Sequence, residues 1–224
     1  FCLSRGLGDV YKRQVVGKEF FDLPADEQQS SLTAFATELL KNYGISDAKV
    51  SCINFEFNAT FSVESKSGTK YALRININST RTLENMKGEI EWVRHLNRTS
   101  GIQTPTPIAT LSNDYITSGY HADSEQELKG VMYSWLEGEE LGDEPTLDQL
   151  HEVGRSIAIF HKESSEFKLS DDAALPTFSD FFWGTADYLF SDKSTLSEQD
   201  RNLIQEAHHL IMQFTDDLYA TSPV

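Results

Sequence analysis

Between residues 26 and 43 apolar side chains recur every three or four positions, at Leu32, Phe35, Ala36, Leu39, Leu40 and Tyr43. That period predicts a helix buried along one face, and Gly44 stands where a C-cap would. The period then shortens to two. Val50, Cys52, Phe55 and Phe57 alternate with more polar residues, Phe61 and Val63 continue the alternation, and Ser65-Lys66-Ser67-Gly68 predicts a hairpin turn. In the next strand Tyr71, Leu73, Ile75 and Ile77 share one face, and Ala72, Arg74 and Asn76 share the other. Helical spacing returns over 82–97, with Leu83, Met86, Ile90, Val93 and Leu96 as the apolar stripe. Pro105 and Pro107 close that helix and lead to a strand predicted near 107–111. Asn113-Asp114 turns the chain into another at 115–118, 119–129 reads as a polar loop, and Val131 to Leu136 as a short apolar strand. From Thr146 onward only helices are predicted. Thr146 and Gln149 form a capping box, followed at helical spacing by Leu147, Leu150, Val153, Ile157, Phe160 and His161. After an aromatic stretch over 175–190 (Phe178, Phe181, Phe182, Trp183, Tyr188, Phe190), a last helix from Ser197 to Tyr219 would turn Leu203, Ala207, Leu210, Ile211, Phe214 and Leu218 inward.

The element order defines an α+β chain with a mostly antiparallel sheet lobe carrying one packed helix, then a helical lobe. The boundaries follow as 15–133 for the sheet lobe, 134–142 for the joint, where Gly138 and Gly142 bracket an acidic stretch, and 143–224 for the helical part. Residues 1–14 fit neither period. Asp9-Val10-Tyr11-Lys12-Arg13-Gln14 resembles a translated transposon end, so this segment is read as a cloning or sequencing scar outside the fold.

Composition narrows the function classes. With 35 acidic residues against 19 basic, the net charge of −16 opposes binding to nucleic acid or anionic membranes. The same acidity keeps the chain soluble and mildly favours a cationic small molecule. No apolar run reaches the roughly 18 residues of a membrane span, and no secretory signal is apparent. Two cysteines, Cys2 and Cys52, match no metal-ligand spacing and suit a reducing, cytoplasmic setting.

Arg74 and Glu89 break the pattern around them. Arg74 stands mid-strand opposite the apolar face, two residues after Ala72, whose small side chain leaves room for a flat ring. A guanidinium there offers a planar fork for phosphate oxygens. Glu89 shares the helix face of Met86 and Val93, whereas Glu84, Lys87, Glu91 and Arg94 lie outward. A carboxylate turned inward needs a partner, and Arg74 is the candidate. A strand cation paired with a helix carboxylate is how kinases position ATP phosphates. The other features read as structural. His161 is expected to serve in packing and hydrogen bonding within its helix, His208-His209 to face solvent, and Trp135 to line the core or an adenine pocket. The acidic run Glu137, Glu139, Glu140, Asp143 and Glu144 is expected to be a solvated linker.

Several segments carry a family resemblance. Asn58-Ala59-Thr60-Phe61-Ser62-Val63, Tyr71-Ala72-Leu73-Arg74-Ile75, Gly88-Glu89-Ile90-Glu91-Trp92-Val93, Thr104-Pro105-Thr106-Pro107, Met132-Tyr133-Ser134-Trp135-Leu136-Glu137-Gly138 and Ile157-Ala158-Ile159-Phe160-His161 resemble, in this order, the phosphotransferase enzyme family of aminoglycoside phosphotransferases, choline kinases and homoserine-kinase-like proteins. The resemblance implies a protein-kinase-like fold and an ATP- and Mg2+-dependent transfer of phosphate to a hydroxyl of a small molecule. It makes the sheet lobe the nucleotide-binding lobe and 134–142 its hinge. It also implies that Arg74 contacts the phosphates in the place usually held by lysine and that Glu89 orients it. Asn58 and Thr60 would lie in the turn over the phosphates, and the backbone of Ser134 and Leu136 at the adenine edge. The family's His-x-Asp-x-x-x-x-Asn loop and its metal-binding Asp are absent from the 224 residues; His121-Ala122-Asp123 comes nearest and lacks the Asn. The expectation is therefore an N-terminal fragment whose catalytic Asp and metal ligands lie beyond Val224, inactive by itself. The rival readings are a nucleotide-binding pseudokinase or regulatory module, and a non-enzymatic α+β interaction protein.

Overall fold

A short helix, α1 (Lys18–Asp22), leads into α2 (Ala25–Leu39), which realises the helical period of the N-terminal segment. The computed structural model describes residues 18–139, 141–176, 182 and 186–221. The proposed scar at 1–14, the aromatic residues Phe178, Phe181 and Trp183, and Glu140 lie outside the described residues. Buried Gln28 ties the start of α2 to the preceding turn by donating to the Leu23 carbonyl at 2.7 Å. A 3-10 turn, Leu40–Tyr43, prolongs the helix to Gly44, whose φ of 69° is the left-handed conformation that glycine adopts without strain.

Three antiparallel strands follow: β1 (Lys49–Phe55), β2 (Asn58–Glu64) and β3 (Lys70–Asn76). Phe57 does not continue the alternation of β1. It sits in the β1–β2 turn, 53% exposed, with its carbonyl accepting from the Asn78 N–H at 3.1 Å. In β1 the register advances from Cys52↔Phe61 to Asn54↔Thr60, which leaves Ile53 as an extra residue in a bulge. Helix α3 (Leu83–Thr99) opens on Thr82, whose side chain accepts from the Asn85 N–H while the Asn85 side chain accepts from the Thr82 N–H. Its stripe points to the sheet as expected, except that Leu83 is 39% exposed.

Two expectations fail in the next stretch. No strand forms at 107–111; Pro107 makes only an isolated bridge to Tyr133, and one hydrogen bond runs from the Ile108 N–H to the Met132 carbonyl. Pro107 lacks the N–H a ladder needs. The segment 119–129 is not a loop but most of a hairpin, β4 (Ile116–His121) and β5 (Gln126–Ser134), turning at Ala122–Glu125. Two of its polar residues, His121 and Ser124, are buried rather than solvated. His121 takes 2.9 Å and 2.7 Å contacts from its two ring nitrogens to Ser31 of α2 and to Ser124. The Ser31 hydroxyl donates to Asp123, so the imidazole Nε2–H must donate to Ser31 and Nδ1 accept from Ser124. This network pins the hairpin to α2. Strand β5 starts five residues earlier than the apolar run suggested and stops at Ser134, which leaves Trp135 and Leu136 beyond it.

The sheet order is β1-β2-β3-β5-β4. One face, with Ala59, Phe61, Val63, Leu73, Ile75 and Met132, is sealed by Leu32, Phe35, Ala36 and Leu39 of α2 and by Phe20 and Phe21. Each large side chain buried in this way contributes about 1.5–3 kcal/mol. On the opposite face Met86 and Ile90 of α3 pack on Val131 and Tyr133 of β5, and the β2–β3 half stays uncovered by helix. After β5 come α4 (Leu147–Glu166), opened by the capping box of Thr146 and Gln149, and α5 (Glu198–Thr221). The inward stripes expected here are not buried: Leu147 is 85% exposed, Leu203 66% and Phe214 70%. Among the described residues the packing surface that would cover them is not formed. No described helix is long and apolar enough to cross a membrane.

Candidate nucleotide site

Alternation in β3 sends Leu73 and Ile75 into the core and Arg74 to the open face, where it lies between Thr60 of β2 and Val131 of β5. From there its Nη2 donates to Glu89 Oε2 at 2.8 Å. The second carboxylate oxygen, Oε1, accepts from the Tyr133 hydroxyl at 2.8 Å. Glu89 is thereby held by one charged and one neutral donor, and the Arg74 guanidinium carbon stands 6.0 Å from the centre of the Tyr133 ring. Burial by itself would depress the Arg74 pKa; the hydrogen bond and charge of Glu89 outweigh it and the net direction is up. Burial, reinforced by the Glu89 charge, raises the Tyr133 phenol well above its ordinary value. The guanidinium is charged and the phenol neutral across the physiological range, so the arrangement presents a fixed cation.

This cation opens on a cavity of about 580 Å³, lined among others by Phe57, Asn58, Asn78, Arg81 and Glu89. Arg74 Nε and the Oδ1 atoms of Asn58, Asn76 and Asn78 are buried without a hydrogen-bond partner among the described residues. Unsatisfied buried polar atoms each cost about 1–3 kcal/mol, so four at one cleft suit a ligand or solvent that both donates and accepts. The structure thus brings Arg74, Glu89 and Asn58 together, with Thr60 beside Arg74 and Ala72 opposite Tyr133 in the β3–β5 register. An anionic group beside the free Nε of Arg74 would complete the guanidinium's hydrogen bonding.

Ser134 and Leu136 lie elsewhere. They line a separate cavity with Asn97, Thr104 and Thr106, which Arg74 does not line. Ser134 is three residues along β5 from Val131, the partner of Arg74, a separation of roughly 10 Å along the strand. Its N–H already donates to the Thr106 carbonyl at 2.8 Å, and its hydroxyl accepts from the Thr106 N–H at 2.9 Å. The Ser134 N–H is therefore already engaged and not open to a base edge.

Sequence reasoning gave no role to Tyr133, Asn76, Asn78 or Arg81. Alternation against Met132 was the usable signal for Tyr133, because it places the phenol on the Arg74 face. His161 is exposed, not packed. His209 is exposed as expected, whereas His208 is partly buried with its ring 5.3 Å from that of Phe190. In the acidic run, Glu137 pairs loosely with Lys70 at 3.8 Å and is otherwise solvated. Among the described residues no group of three or more His, Cys, Asp or Glu side chains is placed to hold a metal ion.

The fold has counterparts. The microcompartment-associated aminopropanol kinase superposes with a TM-score of 0.62 at 20% identity, over 82% of this chain and 57% of that one. An amicoumacin kinase, solved in complex with AMP-PNP, Ca2+ and Ami, superposes with a TM-score of 0.61 at 15% identity, over 83% of this chain and 56% of that one. The chain thus spans little more than half the length of either kinase, and the likeness is one of protein-kinase-like fold. A comparison with curated proteins finds no match. Residues 55–220 match the sequence profile of the phosphotransferase enzyme family, a span that takes in β2, β3, the Arg74–Glu89 pair, the hairpin and both later helices. The chain belongs to the phosphotransferase enzyme family.

Proposed function

We propose that this chain is the nucleotide-binding part of an ATP-dependent kinase that phosphorylates a hydroxyl of a small molecule in the cytoplasm. The observation that carries the reading is the Arg74–Glu89 pair, 2.8 Å apart on the one sheet face that α2 leaves open. Phosphoryl transfer depends mainly on positioning and charge stabilisation, and a guanidinium locked by Glu89 and Tyr133 is a preorganised phosphate anchor. Arg74 would hold the phosphates, Asn58 and Thr60 would border them, and Ala72 would lie under the purine. Ser134 and Leu136 would border the purine edge. The amicoumacin kinase carries AMP-PNP and Ca2+, which supports a nucleotide with a divalent cation as the ligand, Mg2+ in the cell. In this reading 15–133 is the nucleotide lobe, 134–142 the hinge and 143–224 part of the helical lobe.

The base and the metal-binding Asp would come from residues other than these 224, so the chain should bind nucleotide without transferring its phosphate. The net charge of −16 favours a cationic acceptor. Differential scanning fluorimetry with Mg-ATP tests the first step. The chain should melt several degrees higher at saturating nucleotide, and Arg74→Ala should abolish that shift, measured against the variant's own unliganded melting temperature because the substitution also strips Glu89 of its cation. An unchanged melting temperature in the parent chain, or an undiminished shift in Arg74→Ala, would count against the assignment.

A further inference from the structure

The outward face of α3 is not bare. After α4 the chain returns along it in the antiparallel sense, from the His95 end to the Glu84 end. Phe167 packs on Trp92 and His95, with ring centres 5.0 Å and 5.2 Å away. The Ser170 N–H donates to Glu91 at 3.0 Å, and the Ser170 hydroxyl donates to the other oxygen of the same carboxylate. Lys87 meets Asp172 at 2.6 Å. The Ala174 N–H donates to the Glu84 carbonyl at 3.0 Å, and its carbonyl accepts from Asn85 Nδ2 at 3.4 Å. Asn85 is also the residue that caps the helix through Thr82.

Gly88 lies under this crossing. A Cβ built there would stand 2.3 Å from the Ala174 carbonyl oxygen and 2.9 Å from its carbon. The obstacle is backbone, not the end of a flexible side chain, so any larger residue must displace the chain or the helix. At 100° per residue, Glu84, Gly88, Glu91 and His95 form one stripe and Met86, Glu89, Ile90 and Val93 the opposite one. The helix is gripped between residues 167–174 on one side and the sheet on the other. Glu89 follows Gly88 directly, and Arg74 is rooted in β3 between fully buried Leu73 and Ile75.

We propose that residues 167–174 are a strap that sets the rotation and height of α3, with Gly88 as its seat, and that the strap is what keeps Glu89 on Arg74. Gly88 is thus a positioning residue: it touches neither member of the pair, and acts through the helix that carries Glu89. The proposal rests on the nucleotide reading for its consequence only. If that reading holds, the segment joining α4 to the rest of the helical part controls how well the phosphate anchor is formed.

The test is Gly88→Ala in the full chain, read in three ways. Alanine is the better helix former, so α3 itself is not threatened. Amide exchange at Ala174 should rise about tenfold or more as the strap lifts. The Arg74 guanidinium, whose rotation is slowed by pairing and visible by NMR, should lose that restraint. Mg-ATP should bind about tenfold more weakly. A second variant, Ser170→Ala with Asp172→Asn, loosens the strap without touching α3. It should move all three readouts in the same direction by less, and it carries the test should Gly88→Ala fold poorly. Unchanged exchange at Ala174 in Gly88→Ala overturns the seat. Faster exchange with an unaltered guanidinium signal overturns the coupling. Should the parent chain not bind Mg-ATP while the guanidinium still responds to Gly88→Ala, the nucleotide assignment falls and the strap stands.

Discussion

Helices α2 and α5 carry the same kind of apolar stripe and meet opposite fates. In α2, Leu32 and Ala36 are wholly buried because a five-stranded sheet offers them Ala59, Phe61 and Leu73. In α5, Leu203, Leu210, Ile211, Phe214 and Leu218 stay exposed, and the one buried residue is Thr215. Helix α4 resembles α5 in this, with no buried residue along its length, although its capping box is as complete as that of α3. Amphipathic period and caps are local properties that specify a helix. Burial is a property of the surface opposite. The sheet half supplies its own such surface, and the described helical half does not.

The sharpest way to break this contrast is a pair of truncations. Phe61→Ala removes a fully buried ring from β2 and should cost about 3–5 kcal/mol in urea unfolding, whereas Phe214→Ala should stay within about 0.5 kcal/mol. Comparable losses at the two sites would show that α5 is packed in solution. The caps offer a finer comparison. Thr82→Ala and Thr146→Ala delete equivalent 3.2 Å bonds, each worth about 1 kcal/mol. The first should lower the global unfolding free energy, and the second should appear mainly as faster amide exchange over the first turn of α4. Within the site, Tyr133→Phe deletes the neutral donor to Glu89 and should cost about 1 kcal/mol, with a weaker Mg-ATP shift and no loss of the Arg74 pairing.

The smallest effect is one of pH. Burial holds the His121 imidazole below its ordinary value of 6.5. The unfolded chain therefore binds a proton more readily than the folded one, and stability rises with pH across that interval. The contribution is fully present above pH 6.5 and is lost as pH falls through that value toward the lower folded pKa. Chemical unfolding followed from pH 8 to 5 should show this decline, and His121→Gln should flatten it. An unchanged slope in the variant would mean that another group carries the dependence.

Much of this architecture can be read from residue order. Arg74 sits between Leu73 and Ile75, so alternation alone turns it away from the core, and the 3.6-residue period brings Glu89 around to meet it. Thr146 with Gln149 announced α4 to the residue. What could not be read has a common cause. The β4–β5 hairpin was hidden because its buried positions include His121 and Ser124, polar residues satisfied by each other and by Ser31 of a distant helix. The segment 107–111 looked extended but opens on Pro107, which has no N–H to give a ladder. The exposure of the α4 and α5 stripes depends on a missing opposite surface that no local period encodes. The crossing of 167–174 over α3 has no period, and its closest approach is backbone against a glycine. In the site, Arg74 and Glu89 were legible as departures from their own patterns. Asn76 and Asn78 were not, because an asparagine near the end of a strand looks like a turn residue until its side-chain oxygen is found buried without a donor.

The bulge at Ile53 bears on how the molecule behaves among its own copies. Strand β1 is an outer strand, so one row of its backbone donors and acceptors is unclaimed by the sheet. An even, apolar margin of that kind templates intermolecular strand addition and, from there, fibrous aggregates. The extra residue between Cys52 and Asn54 puts a kink in that margin and increases its local twist, so a second molecule cannot lie along it in register. Ile53, 53% exposed, is a tolerable apolar side chain there because the backbone around it offers no straight run to copy. Deleting it would restore an unbroken pairing edge, and the chain would exchange a local irregularity for a tendency to self-associate at high concentration.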